Sequence, residues 1–225
     1  MEVSWQHKNN KTNLILFCNG WGMDSTPFEH LASNEYDVCL LHNYSVLPEI
    51  FDVETLTAGY AEVILIGWSM GVWAGQKLFK NTSHLFDRII AINGTLCPIN
   101  DDYGIPVKVY DRTLSDYGEA ARLKFYRRMC REKTNLKLFL SKQPQRSLDD
   151  QQQELLALKK MVHCLPASES IYKEILIADS DWVIPSQNQT NFWQGMAVTQ
   201  ISGFHYLFSL WQSWDHLLCY SDYAL

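Results

Sequence analysis

The sequence has no apolar run longer than a handful of residues, whereas a membrane-crossing helix needs about 20. No transmembrane helix is therefore expected. The first residues, Met1-Glu2-Val3-Ser4-Trp5-Gln6-His7-Lys8, lack the basic-then-apolar order of a secretory leader. No G-x-G-x-x-G or P-loop occurs, and no His/Cys cluster has metal-ligand spacing, so neither a cofactor nor a metal is expected. The six cysteines (Cys18, Cys39, Cys97, Cys130, Cys164, Cys219) contain no C-x-x-C and follow no regular spacing. Three of them, Cys18, Cys39 and Cys97, lie in or beside apolar runs, where cysteine behaves as a small hydrophobe. The expectation is buried, reduced thiols in a cytoplasmic protein rather than disulfides. Net positive charge is also missing. With 19 Lys+Arg against 25 Asp+Glu the formal charge is −6, which argues against a general nucleic-acid binder.

What is present is an ordinary globular composition: 225 residues, 47% hydrophobic and 20% charged, enough for one large domain or two small ones. The charge is unevenly placed. Between Pro98 and Pro166 there are 13 basic and 9 acidic residues; the rest of the chain has 6 and 16. One part is thus basic by 4 charges and the other acidic by 10, which suggests two structural parts with different partners.

Short, wholly apolar runs recur at Leu14–Cys18, Val38–Leu41, Val63–Ile66, Ile89–Ile92 and Ile175–Ala178, with a further strand read at Val198–Gly203. Such runs suit strands buried on both faces of a parallel sheet. A helix is expected from Met70 to Lys80, with Val72, Gln76 and Phe79 on one face, and an aromatic-rich closing helix from Phe204 to Leu218. Between Asp111 and His163 the text turns helical and charged. The expected fold is α/β, an α/β-hydrolase sheet of residues 1–97 and 168–225, interrupted by a helical lid at 98–167 that covers the strand ends where such sheets bind ligands.

Gly67-Trp68-Ser69-Met70-Gly71 stands between an apolar run and a helix. That is the setting of a nucleophile elbow, where a strained turn lifts the serine Oγ clear of the backbone. A serine nucleophile needs a base, and the base an orienting acid, in the chain order Ser, acid, His. Of seven histidines only His205 follows a strand-ending glycine, in Ile201-Ser202-Gly203-Phe204-His205. The acid is Asp181 or Asp179, both after the Ile175–Ala178 run; Asp181 has the D-x-x-x-P spacing, and Asp179 suits a loop cap. Oxyanion donors are expected at the backbone N–H of Met70 and of Trp21, in Asn19-Gly20-Trp21-Gly22. Trp21, Trp68 and Trp182 are expected to line an acyl channel. From Ala120 to Arg146 there are nine basic residues and one acid. Arg122, Lys124, Arg127, Arg128, Arg131 and Arg146 are expected to form a basic rim that meets an acidic partner, such as an acyl carrier protein.

Leu16–Asp24, Gly67–Ala74, Ala91-Ile92-Asn93-Gly94-Thr95 and Gly203-Phe204-His205, with Arg127-Arg128-Met129 and Pro144-Gln145-Arg146, resemble the short BioG-type esterases of bacterial biotin synthesis. The likeness runs across most of the chain. It implies an α/β-hydrolase that cleaves the methyl ester of pimeloyl-acyl carrier protein, with Ser69 as nucleophile, His205 as base and the acid at Asp179 or Asp181; separately, a monomer is expected. Where α/β-hydrolases commonly carry His-Gly at the oxyanion loop, this chain has Asn19-Gly20. The other readings are a thioesterase with the same triad, and a non-catalytic binding protein of the same fold.

Overall fold

A computed structural model describes residues 1–222, with side chains to Cys219. Seven strands form one sheet: β1 (Glu2–His7), β2 (Asn13–Cys18), β3 (Tyr36–His42), β4 (Glu62–Trp68), β5 (Arg88–Ile92), β6 (Glu174–Ala178) and β7 (Thr199–Ile201). The order across the sheet is β1-β3-β2-β4-β5-β6-β7. All neighbours pair parallel except β1, which runs antiparallel to β3 from Glu2↔His42 to His7↔Val38. The helices are α1 (Val53–Thr57), α2 (Met70–Phe79), α3 (Val107–Ser115), α4 (Glu119–Cys130), α5 (Lys133–Ser141), α6 (Leu148–Met161), α7 (Ser186–Phe192) and α8 (Trp214–Asp222). None of them is long and apolar enough to cross a membrane.

The central strands read as unbroken apolar runs because both faces are covered. On one face Ile15, Phe17, Ile64, Ile66, Trp68, Ile90 and Ile92 join a cluster with Phe28, Met129, Phe208 and Trp214. The alternate residues, Leu14, Leu16, Val63, Leu65 and Ala91, join Val72, Phe79 and Tyr172 on the other. The period of two distributes one run between two cores. The polar edge strand β1 has no such run, and nothing in the sequence reading announced it. β3 and β4 flank β2 on opposite sides, so the strand order reverses at the carboxyl ends of β2 and β4, the position where open α/β sheets bind ligands.

Helices α3 to α6 all lie between β5 and β6. The Ser147 hydroxyl caps α6 by accepting from the Asp150 N–H (3.2 Å), acids occupy its first turn, and Lys159 and Lys160 its last, all complementary to the helix dipole. A third apolar cluster joins Trp21, Met70 and Trp73 to Tyr110, Leu155 and Leu158 of these helices.

Two expectations need correction. The closing helix does not start at Phe204: a loop with a 3-10 turn at Leu207–Leu210 precedes α8. Tyr206, Phe208 and Trp211 of that loop are buried around Phe28 and Trp68, so tertiary packing sets its path in place of helix propensity. The cysteines are not all free thiols either. Cys97 and Cys164 are bonded, with Cα atoms 4.2 Å apart. The reason lies beyond sequence spacing: the chain leaves the body and returns at one point, where the Leu165 N–H donates to the Leu96 carbonyl (3.1 Å). Cys18, Cys39 and Cys130 are buried and unbonded. Burial pushes the Cys39 and Cys130 thiols up to about 12, which keeps them protonated.

The bond closes a loop whose ends are 67 residues apart, and loop-closure entropy gives it about 4 kcal/mol of stabilisation. After denaturation, iodoacetamide should label four of the six cysteines without reductant and all six with it; Cys97→Ser should lower the unfolding free energy by a comparable amount.

Candidate active site

Ser69 lies between the end of β4 and the start of α2, with φ 56° and ψ −122°. This is a strained conformation for a residue with a side chain. Its N–H donates to the Ile92 carbonyl (3.0 Å) and its carbonyl accepts from the Val72 N–H (3.1 Å), which fix the turn from both sides. The motif glycines are required by close approach. A Cβ at Gly71 would overlap the carbonyl oxygens of Cys18 and Asn19, and one at Gly67 would strike the Tyr172 hydroxyl and the Val72 backbone. Bare backbone at these positions lets the N-terminus of α2 sit against the end of β2.

The Ser69 Oγ is 3.0 Å from His205 Nε2. His205 Nδ1 is 2.7 Å from Asp181 Oδ2. All three residues are buried. Asp181 is held by four donors: Oδ1 accepts from the Val183 and Ile184 N–H groups (2.8 and 3.1 Å), and Oδ2 from Gln189 Nε2 (2.8 Å) as well as from His205. A carboxylate so supplied is fixed in orientation. With it accepting at Nδ1–H, Nε2 is free to accept the serine proton. Asp179 stands apart, exposed, accepting from the Gly203 N–H (3.1 Å), which draws its carboxyl below the usual range. It caps the loop.

His205 is also held from behind. Its carbonyl accepts from Asn93 Nδ2 and Trp68 Nε1, both at 3.0 Å. Asn93 is fully buried, has φ 45°, and its Oδ1 accepts from the Ala178 N–H (2.7 Å). It links the ends of β5 and β6 to the histidine loop. Sequence reasoning gave no role to Asn93 or Gln189. Asn93 acts across the fold, hinted at only by the Asn-Gly pair after an apolar run, and Gln189 acts from α7 on an acid eight residues before it.

Trp21 and Met70 flank the serine. Met70 opens α2, where a helix N–H has no carbonyl partner inside the helix. The Trp21 backbone N–H donates to nothing among the described residues, whereas its ring Nε1 donates to the Gln151 carbonyl (2.9 Å). Above Ser69 is a pocket with about 30 Å³ of free space, lined by Trp21, Met70, Tyr110, Phe125, Leu155 and Val183 among others. Beside it, between α3 and α4, runs a groove of about 480 Å³ bordered by Lys108, Arg112, Lys124 and Arg128. The two share Val109, Thr113, Phe125 and Arg128 as a common neck.

Several expected site residues are elsewhere. Trp68 does not line the pocket. It continues the Ile64, Ile66 alternation into the sheet core, against Phe28 and Phe208. Trp182 is 55% exposed, with the Arg131 guanidinium 3.6 Å over its ring; Val183, the next residue, faces the pocket instead. Arg146 is not part of a basic rim: its side chain is 7% exposed and pairs with Asp150 and the buried Glu154, both at 2.6 Å. Arg122 is held by both oxygens of Glu119 (3.0 and 2.8 Å). Among the described residues, Lys124, Arg127, Arg128 and Arg131 have no acidic partner within ion-pair distance. Burial lowers the Arg128 pKa somewhat, as befits a cation at an apolar neck. No group of three or more His, Cys, Asp or Glu among the described residues could hold a metal.

The sheet order, the elbow after the strand at the switch point and the helical segment before the last two strands define an α/β-hydrolase. More narrowly, the chain belongs to the family described as pimeloyl-ACP methyl esterase BioG, whose model matches residues 1–217. The crystal structure of BioG from Haemophilus influenzae superposes with a TM-score of 0.83 at 28% identity, covering 96% of this chain and 98% of that one. The enol-lactonase of Burkholderia xenovorans shares the fold, at TM-score 0.63 and 15% identity over 99% and 94% of the two chains. A malonyl-[acyl-carrier protein] O-methyltransferase of Bacteroides fragilis is 36% identical over 194 residues, 85% of this chain and 39% of that protein. The present chain therefore corresponds to well under half of that longer relative.

Replacing Asn93 with alanine strands the buried Ala178 N–H and releases the His205 carbonyl. Unfolding free energy should fall by about 1–3 kcal/mol in denaturant titration, and ester turnover per folded molecule should drop as well.

Proposed function

We propose that this chain hydrolyses the methyl ester of pimeloyl-acyl carrier protein, yielding methanol and a carrier-bound acyl chain with a free ω-carboxyl group. The observation that carries the reading is the hydrogen-bonded series from Ser69 through His205 to Asp181, opening beneath an apolar pocket. Membership of the BioG family supports the substrate. So does the relative from Bacteroides fragilis, named for transferring a methyl group to a carrier-bound acid.

In this reading His205 Nε2 takes the Ser69 proton as Oγ attacks the ester carbonyl. The tetrahedral oxyanion forms between the N–H groups of Trp21 and Met70, the latter aided by the α2 dipole. Asp181 stabilises the imidazolium. As the intermediate collapses, His205 gives its proton to the departing methoxide, and methanol leaves. His205 then takes a proton from water as its oxygen attacks the acyl-enzyme, and gives that proton to Ser69 Oγ as the acyl–Oγ bond breaks, releasing the acid, which ionises to the carboxylate.

Residues 98–167 act as the lid. The pocket's small free volume means the neck of Val109, Thr113, Phe125 and Arg128 widens as an acyl chain enters. The chain would enter through the α3–α4 groove. The docking face is the remaining unpaired cations, Lys124, Arg127, Arg128 and Arg131, which suit an acidic carrier protein.

Ser69→Ala should lower kcat on a pimeloyl methyl ester by about 10⁴-fold or more with the melting temperature nearly unchanged; retained turnover would overturn the nucleophile assignment. Product analysis should find methanol and an intact carrier conjugate. Release of a free thiol would point instead to a thioesterase. The double reversal Arg127→Glu, Arg131→Glu should cut kcat/KM for the carrier-bound ester by about tenfold or more, with a much smaller effect on a short free ester. Equal slowing of both substrates argues against carrier docking.

A further inference from the structure

Apart from the turn closed by the Met23 N–H, which donates to the Gly20 carbonyl (3.4 Å), the hydrogen bonds of Trp21 and Gly22 all go to one helix outside the sheet domain. The flanking positions of the loop are held locally: the Asn19 N–H donates to the Leu41 carbonyl (2.9 Å), the Gly20 N–H to the Asn19 side chain (2.8 Å), and Asn19 Nδ2 to the Asp24 carbonyl (3.0 Å). At the centre the partners change. The Trp21 ring Nε1 donates to the Gln151 carbonyl (2.9 Å), Gln151 Nε2 donates to the Gly22 carbonyl (2.7 Å), and the Gly22 N–H donates to Glu154 Oε2 (3.0 Å). Gly22 has φ +76°, and a Cβ there would also press on the Gln151 amide.

Glu154 is fully buried. Its second oxygen accepts from the Tyr44 N–H (2.8 Å), and the Tyr44 hydroxyl lies 2.9 Å from the Asn19 carbonyl. The carboxylate therefore grips the oxyanion loop at Gly22 directly and at Asn19 through Tyr44. Arg146 compensates its charge at 2.6 Å and leaves the two backbone donors in place. Gln151 is fixed in turn by the Tyr117 hydroxyl, which donates to its Oε1 (2.7 Å). Burying a carboxylate is costly unless its partners need it there. Here the partners are the backbone N–H groups of Gly22, in the oxyanion loop, and of Tyr44, whose hydroxyl reaches the same loop.

We infer that Gln151 and Glu154 of α6 are positioning residues, which set the Trp21 N–H in the place where it stabilises the oxyanion. This rests on the reading of Ser69 as nucleophile and of Trp21 as a donor. It gives the inserted helices a second duty besides covering the site: the oxyanion hole is complete only with α6 seated on the body. Neither residue touches the reacting atoms. Each acts through the loop, and a displacement of an ångström in such a donor is enough to cost about a hundredfold in rate.

The test uses Gln151→Met and Glu154→Gln in the full chain, each assayed on a short activated ester and on the carrier-bound methyl ester. The expected result is a fall in kcat of about tenfold to a hundredfold on both substrates, with KM changed by less than about threefold. A trifluoromethyl ketone, which forms a tetrahedral adduct with the serine, should lose affinity by the same factor as kcat/KM. A purely structural role would lower the melting temperature and leave kcat per folded molecule and ketone affinity unmoved. Folded variants that keep kcat, or that only raise KM, overturn the inference. Gln151→Met leaves the Glu154–Arg146 pair intact, so it decides the matter if Glu154→Gln does not fold. Ser69→Ala run alongside separates the two claims: if it stays active, the functional reading itself has failed; if it is dead while both α6 variants keep kcat, only the inference has.

Discussion

The closest approach that organises this molecule is between backbones. The second residue of α2 lies against the carbonyl oxygens of Cys18 and Asn19, where no side chain fits. Because Gly71 permits that contact, the first turn of α2 and the loop after β2 become one surface. The strained serine turn, the free N–H of Met70 and the loop bearing Trp21 are placed together by it. The parallel sheet sets the distances behind the contact, since β2 and β4 are adjacent and in register from Asn13↔Glu62 to Cys18↔Gly67. The rest of the constellation arrives from farther along the chain, over β6 and β7, and is locked by Asn93, Trp68 and Gln189.

The uneven charge has a more particular meaning than an acidic body beneath a basic cover. Several basic residues of the insertion are neutralised by nearby acids, and one of them, Arg146, is internal. Among the described residues, the unpaired ones are densest on and just after α4 and at the groove beside it (Lys108, Lys124, Arg127, Arg128, Arg131), with Lys133, Lys137 and Lys160 farther out. The count of basic residues overstated the rim, and the position of the partners defines it.

Much of the sheet was legible because a strand buried on both sides has to be written as a continuous apolar run. The elbow was legible because its glycines are dictated by steric contact, and His205 because it follows the end of a strand. Trp68 and Trp182 were misjudged for one reason: a tryptophan near a serine looks like a pocket wall, while strand alternation already assigned Trp68 to the core side. Arg146 was counted as rim because its counter-charge, Glu154, is two helical turns away and its burial is decided by Gly22 and Tyr44, more than a hundred residues upstream. Distance along the chain likewise hid Gln151, which acts 129 residues away, and the Cys97–Cys164 bond, whereas Gln189 sits only eight residues from Asp181 and was hidden by the loop geometry between them. Local spacing carries no trace of contacts made by the folding back of a 67-residue excursion. The polar edge strand β1 escaped because an edge exposed on one side needs no apolar run.

That excursion begins and ends at a single doorway in the sheet domain. An insertion with adjoining ends can be lengthened at its outer turns with the strand order intact, although Tyr126, Met129 and Phe139 pack into the sheet core beneath. Yet three hydrogen bonds from α6 reach down to the loop beside the serine. A change in this segment therefore meets limits where Tyr126, Met129 and Phe139 enter the core, and at α6, whose partner sequence Trp21-Gly22 has to change with it.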